Sequence, residues 1–154
     1  SQITYINIAA TITTMDEQIR RLIEPNTSCS MDRFKILKAF RKTNASVGLH
    51  VMPIIPYLTD SFENFDALCH NAKESNVHYV LPGTLYLRGQ TRKVFFDFVQ
   101  QSFPDLYEKL LLLYKTGGAD KAYKNDLYVM VNQLREQYGL SSSYTKPIKE
   151  KLRQ

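Results

Sequence analysis

The sequence predicts an α/β fold with parallel strands, and three observations carry that prediction. Val47 to Pro56 reads VGLHVMPIIP, a nearly continuous apolar run of the kind found in strands covered on both faces. Periods typical of strands and of helices alternate along the chain in the order strand, helices, strand, helix, strand. The three strands so read are too few to close a barrel, which takes about six to eight. An exposed apolar sheet edge is an aggregation hazard. Either the first strand therefore pairs with another chain, or these residues are the carboxyl half of a larger barrel.

Composition narrows the class. A chain of 154 residues with 44% hydrophobic and 23% charged residues is long enough and apolar enough for a packed core, which excludes a disordered segment. No uninterrupted apolar stretch approaches the ~20 residues of a membrane span, and no basic-then-apolar leader opens the chain, so a cytoplasmic protein is expected. Twenty Lys and Arg against 15 Asp and Glu give a net charge of +5, but the excess is scattered and reads first as a solvated surface. Cys29 and Cys69 fit neither a disulfide framework nor a metal site and read as small apolar residues.

Taken in order, strand-like sequence begins at once with Ile3, Tyr5, Ile6 and Ile8, followed by Ala9 to Ile12, as if entered from a preceding segment. Thr14-Met15-Asp16-Glu17 has the form of a capping box and opens a helix with Ile19, Leu22 and Ile23 on one face, stopped by Pro25. A second helix starts near Ser30, with Phe34, Leu37 and Phe40 as its buried stripe and Asn44 as a left-handed stop. The central strand ends at Pro53 and Pro56, which lack the N–H a ladder needs, so regular pairing should fade there. Ligands of parallel α/β sheets sit at the carboxyl ends of strands, which makes Met52 to Pro56 the first place to look for a site.

Phe62, Phe65, Leu68, Cys69 and Ala72 then repeat at helical spacing, and Ser75-Asn76 ends that helix. A third strand is expected over Val77 to Leu81, closing in Pro82-Gly83. Thr84 to Gly89 is a loop across the mouth of the sheet or a short strand extension. Thr91 caps a helix carrying Val94, Phe95, Phe98 and Val99, and another runs from Asp105 to the Gly117-Gly118 stop. The last strong helix spans Asn125 to Tyr138 with Gly139 as its end, and Ser141 to Gln154 is a frayed tail or a short docking helix.

Several of these segments resemble one known group. Thr11-Ile12-Thr13-Thr14-Met15-Asp16-Glu17, Leu22-Ile23-Glu24-Pro25, and Val51-Met52-Pro53-Ile54-Ile55-Pro56 followed by Thr59-Asp60 are similar to the later half of radical S-adenosylmethionine proteins of the spore photoproduct lyase-like (DNA repair photolyase-like) group. The resemblance continues through Leu85 to Arg88, Phe103-Pro104, Gly117-Gly118 and Tyr123, and covers roughly residues 8 to 128.

It implies the carboxyl half of a partial (β/α) TIM-type barrel over residues 1–103, with a helical extension over 104–154. It also implies a parent in which a Cys-x3-Cys-x2-Cys loop holds a 4Fe-4S cluster that cleaves S-adenosylmethionine to a 5′-deoxyadenosyl radical, with lyase-type chemistry. Neither Cys29 nor Cys69 sits in such a loop, and the early strands are absent. This chain alone is expected to bind no cofactor, to supply no catalytic residue and to be inactive. Its expected partner is the missing amino-terminal half.

The resemblance also implies cofactor contacts. Thr11 takes the place of a small hydroxyl residue that meets the ribose, with Thr13 two residues on, and Pro53 and Ile54 match the segment that flanks the adenine. Strand propensity explains the threonines equally well, and a strand terminator explains the proline. Glu24 and Arg88 are candidates for the barrel mouth or the substrate. His50, His70 and His78 have no metal-ligand spacing, no nucleophile elbow occurs, and Gly83, Gly89, Gly117 and Gly118 make no phosphate loop. Two other readings stand beside the enzyme fragment: a binding or scaffold module that self-associates through its open sheet edge, and a basic nucleic-acid-binding domain using Tyr138, Tyr144 and the lysines of the tail.

Overall fold

The structure, a computed structural model, describes residues 4–152, with side chains described through residue 150. Ile3 and the last two residues of the tail lie outside the described residues. Strands β1 (Asn7–Thr11), β2 (Ser46–Ile54) and β3 (Tyr79–Thr84) form one parallel sheet in the order β1-β2-β3. The helices are α1 (Glu17–Ile23), α2 (Ser30–Phe40), α3 (Phe62–Glu74), α4 (Gln90–Ser102), α5 (Tyr107–Leu113), α6 (Lys121–Gln137) and α7 (Lys146–Leu152). Among the described residues no helix is long and apolar enough to cross a membrane.

The period-2 alternation of strand side chains explains the layering. Val47, Leu49 and Val51 of β2, with Ile12 and Val80, share one core with Phe34 and Leu37 of α2, Phe65 and Leu68 of α3, and Leu127, Val131 and Leu134 of α6. Burying each of these side chains contributes roughly 1.5–3 kcal/mol, so this face dominates the stability of the sheet. The opposite face carries Asn7, Ala9 and Thr11 of β1, Gly48, His50 and Met52 of β2, and Tyr79, Leu81 and Gly83 of β3. Two close approaches fix that assignment: a Cβ on Gly48 would stand 2.0 Å from the Tyr79 ring, and one on Gly83 would stand 3.0 Å from the Met52 Cβ.

The helix ends correct several sequence expectations. The capping box at Thr14 does not form. Asp16 is the N-cap of α1, accepting from the Gln18 and Ile19 amides, while Thr14 Oγ1 accepts from the Asp16 amide. Glu17 is thereby released to reach Ser30 and Arg20. Asn44 is not the left-handed stop of α2, because that helix unwinds through successive three-residue turns from Lys38 to Thr43. Phe40 and Phe62 are exposed rather than buried.

Asn76 and Gly139 do take the left-handed region, at φ 56° and 66°, and each completes a Schellman end. The Val77 amide reaches the Ala72 carbonyl at 3.1 Å, and the Leu140 amide reaches the Arg135 carbonyl at 2.8 Å. The last β strand runs later than expected, through Pro82 and Gly83, and α6 starts earlier, at an Asp120 cap.

A second cluster sits beside the first. Phe96 and Val99 of α4, Leu110 of α5, Leu87, Tyr114 and Ala119 pack together, and Tyr123 touches both clusters. Although α6 lies beyond residue 103, it belongs to the main core, whereas α4, before that position, belongs to the satellite. Residues after Thr84 extend the sheet rather than merely crossing it: the Leu85 amide donates to the Ile54 carbonyl at 3.1 Å, and Tyr86 forms an isolated bridge with Gly118. The expected tail is a short docked helix, anchored where Ser141 bridges Tyr79 and the Tyr144 ring meets the Tyr79 ring.

Candidate functional site

The two edges of the sheet differ. On β3 the outward amide of Val80 donates to the Ser141 carbonyl at 3.0 Å, and the Val80 carbonyl accepts from Arg135 Nη1 at 3.1 Å. Pro82, two residues along, has no N–H to leave unpaired there. On β1 the bonds from Ser46 N to Ile6 O and from Ile12 N to His50 O set the ladder's phase. That phase turns the peptide groups of Ile8 and Ala10 toward β2 and those of Asn7, Ala9 and Thr11 outward. The Thr11 carbonyl is met by Arg33 Nη1 at 2.6 Å, and among the described residues no strand lies on the outer side of Asn7 and Ala9.

At the carboxyl end of β1 a polar network holds the chain. Arg20, 6% exposed, donates to Glu17 at 2.6 Å and to the Thr27 carbonyl at 2.8 Å. Glu17 also accepts from the Ser30 amide, and that bond, followed by the Arg20 hydrogen bond, holds its carboxyl below the usual range. Glu24 pairs with Arg33 Nη2 at 2.7 Å, and the same arginine caps the Thr11 carbonyl.

The β2 end behaves as its prolines suggest. The Met52–Pro53 peptide is cis, and the pairing of β2 with β3 shifts register between Val51 and Ile54. Pro53 is exposed, while Ile54 is wholly buried in the main core. Thr11 is exposed on the bare face, and Thr13 is only 3% exposed, so the two threonines do not share an environment. Arg88 is exposed beyond β3. The structure thus brings Thr11, Glu24 and Arg33 together at one strand end, and it separates the side chains of Thr13 and Ile54 from the bare face.

Two features escape sequence reasoning. Arg20 and Arg33 lie on helices, and nothing in their spacing points to the Thr27, Glu24 and Thr11 groups they meet. On the bare face the Tyr79 hydroxyl, on a wholly buried side chain, donates to Asn7 Oδ1 at 3.0 Å and stands 3.4 Å from His50 Nε2. Burial pushes the His50 imidazole down and the Tyr79 phenol up. Gly48, inside an otherwise apolar strand, was the available signal, since a strand glycine marks a close approach. Among the described residues no three His, Cys, Asp or Glu side chains gather as a metal would require. Cys69 is a core residue whose thiol burial pushes up to about 11, the opposite of a metal-ligating thiolate.

The chain matches no family model. It is similar to an uncharacterized protein of Mycobacterium bovis and to uncharacterized proteins of two Mycobacterium tuberculosis strains, each 26% identical over 140 residues. The match takes in 90% of this chain and 41% of each relative, so the chain spans about two fifths of the length of the curated relatives it matches.

Proposed function

We propose that this chain is the carboxyl half of a partial (β/α) barrel from a radical S-adenosylmethionine protein of the spore photoproduct lyase-like group. One observation carries the reading. Three parallel strands follow one another in sequence order with α2, α3 and α6 packed on one face, while on the other face Asn7, Ala9 and Thr11 of β1 are exposed and the outer edge of β1 stands open. In such barrels the helices lie outside and the bare face lines the interior, so the strands that would complete the barrel belong beside Asn7 and Ala9. The mycobacterial relatives are long enough to carry such a segment outside the matched part.

The residues present fit part of the implied cofactor site. S-adenosylmethionine and a 4Fe-4S cluster would supply the 5′-deoxyadenosyl radical. Thr11 offers an exposed hydroxyl at the end of β1 and Pro53 an exposed ring at the end of β2, suitable for a ribose and an adenine edge. Ile54 would contribute backbone only, and Thr13 only support, since its carbonyl accepts from Asn64 Nδ2 at 2.9 Å. Glu24 and Arg33 fix the strand end that carries Thr11, and Arg88 stands free at the far side of the mouth. The cluster ligands fall to the other half, because a buried Cys69 and an isolated Cys29 make no triad.

The coding sequence upstream of Ser1 tests the proposal. A Cys-x3-Cys-x2-Cys segment there, in a protein that takes up iron and sulfide and releases 5′-deoxyadenosine from S-adenosylmethionine, is the expected result. A start codon at or just before Ser1 overturns it. The open edge then favours the second reading, in which two copies pair through β1; sedimentation would give a dimer that an Ala9→Pro change dissolves.

A further inference from the structure

A groove of about 930 Å³ lies between the end of α5, the loop that follows it and the start of α6. Its charge is one-sided. Lys109, Lys115, Lys121 and Lys124 line it against a single carboxylate, Asp120, which is already spent capping α6 through the Ala122 and Tyr123 amides. None of the four lysines is in an ion pair; among the described residues those pairs are Arg20–Glu17, Arg33–Glu24, Lys35–Asp32 and Lys93–Asp97. Four ammonium groups against one carboxylate leave the cavity with an excess of positive charge that a bound anion relieves.

A ring also faces the groove. Tyr57, on the loop after β2, has φ 66° and is held there by the bond from its amide to Asp60 Oδ1 at 2.9 Å. Asp60 is in turn fixed by the Tyr123 hydroxyl at 2.8 Å. A glycine would take that backbone freely, whereas a tyrosine does so under strain. The result is a 47% exposed phenol ring on a rigid support at the groove wall. The volume suits one small ligand, within the roughly 300–1,000 Å³ of such pockets.

We propose that this groove binds a phosphorylated small molecule carrying a planar ring, with its phosphates on Lys109, Lys115, Lys121 and Lys124 and its ring on Tyr57. The proposal is independent of the barrel reading, because no lysine of the groove lies on the bare face of the sheet. Calorimetric titration of the chain with inorganic tripolyphosphate and with ATP, at fixed ionic strength, tests it. Both probes bind at one site per chain. The double change Lys121→Glu with Lys124→Glu weakens both by about tenfold or more, while Lys38→Glu with Lys42→Glu, the same charge change on α2, leaves both unaltered. Tyr57→Gly keeps the backbone and tripolyphosphate binding but loses the advantage of ATP. Circular dichroism verifies that each variant is folded. Absence of binding to either probe, equal losses in the two double variants, or a preference for oligothymidylate over ATP that grows with strand length overturns the proposal.

Discussion

The two edges of this sheet are finished differently. β3 ends the sheet: Ser141 and Arg135 take the outward groups of Val80, and Pro82 has no amide to expose. β1 leaves it unfinished, because Arg33 satisfies only the Thr11 carbonyl and the peptide groups of Asn7 and Ala9 turn outward with no strand beside them. The faces repeat the contrast, one buried under three helices and the other exposed along β1 at Asn7, Ala9 and Thr11, with the Tyr79 and Tyr144 rings over its β2–β3 side. Protein edges are normally paired, covered or charged. The partial-barrel proposal rests on that asymmetry.

The largest expected effect sets the two faces against each other. Leu49→Ala empties a wholly buried position and should cost about 2–5 kcal/mol in denaturant unfolding. Thr11→Ala on the bare face should stay within about 0.5 kcal/mol in this chain. The edges come next. Ala10→Pro removes an amide directed at β2 and should cost about 3 kcal/mol, whereas Ala9→Pro, one residue away, removes an outward amide and should cost well under about 1 kcal/mol. Similar losses at both positions would mean that the β1 edge is not open. At the closed edge, Arg135→Met leaves the Val80 carbonyl without its side-chain donor and should cost about 1–3 kcal/mol.

The smallest effect is electrostatic. The Glu17 carboxyl is held below its ordinary value, chiefly by the Ser30 amide and then by Arg20, so the folded state binds its proton less readily than the unfolded chain. Its stabilisation is therefore complete above the ordinary glutamate range and is lost as pH falls through the lowered folded value. Glu17→Gln should flatten that part of a stability-versus-pH curve and lower the plateau above it, leaving only the low-pH limb unchanged.

Much of this contrast was legible in the sequence, though unevenly. The apolar run of β2, the parallel order and the helical stripes of Phe65, Leu68 and Ala72 follow from periodicity, and they appear as read. Ends were less secure where two residues compete for one role. Asp16 displaced Thr14 as cap, and Asn76 took the left-handed turn that Asn44 did not. Phe40 and Phe62 fell outside the core because each lies at an end of its helix, where no neighbouring element covers it. The site was harder still. Nothing local marks Arg33 as the group that caps the end of β1, since its partners lie nine residues away at Glu24 and 22 away at Thr11. The lysine groove likewise joins two segments far apart in sequence, Tyr57 and the stretch from Lys109 to Tyr128.

Amide hydrogen exchange at Ala9, measured in this chain and in a chain extended by its upstream coding sequence, tests the central claim most directly. Ala9 is expected to exchange freely in the first while Ala10 and Ile12 are protected, and to become as protected as Ala10 in the second. An Ala9 amide that exchanges as fast in the extended chain as in this one would contradict it.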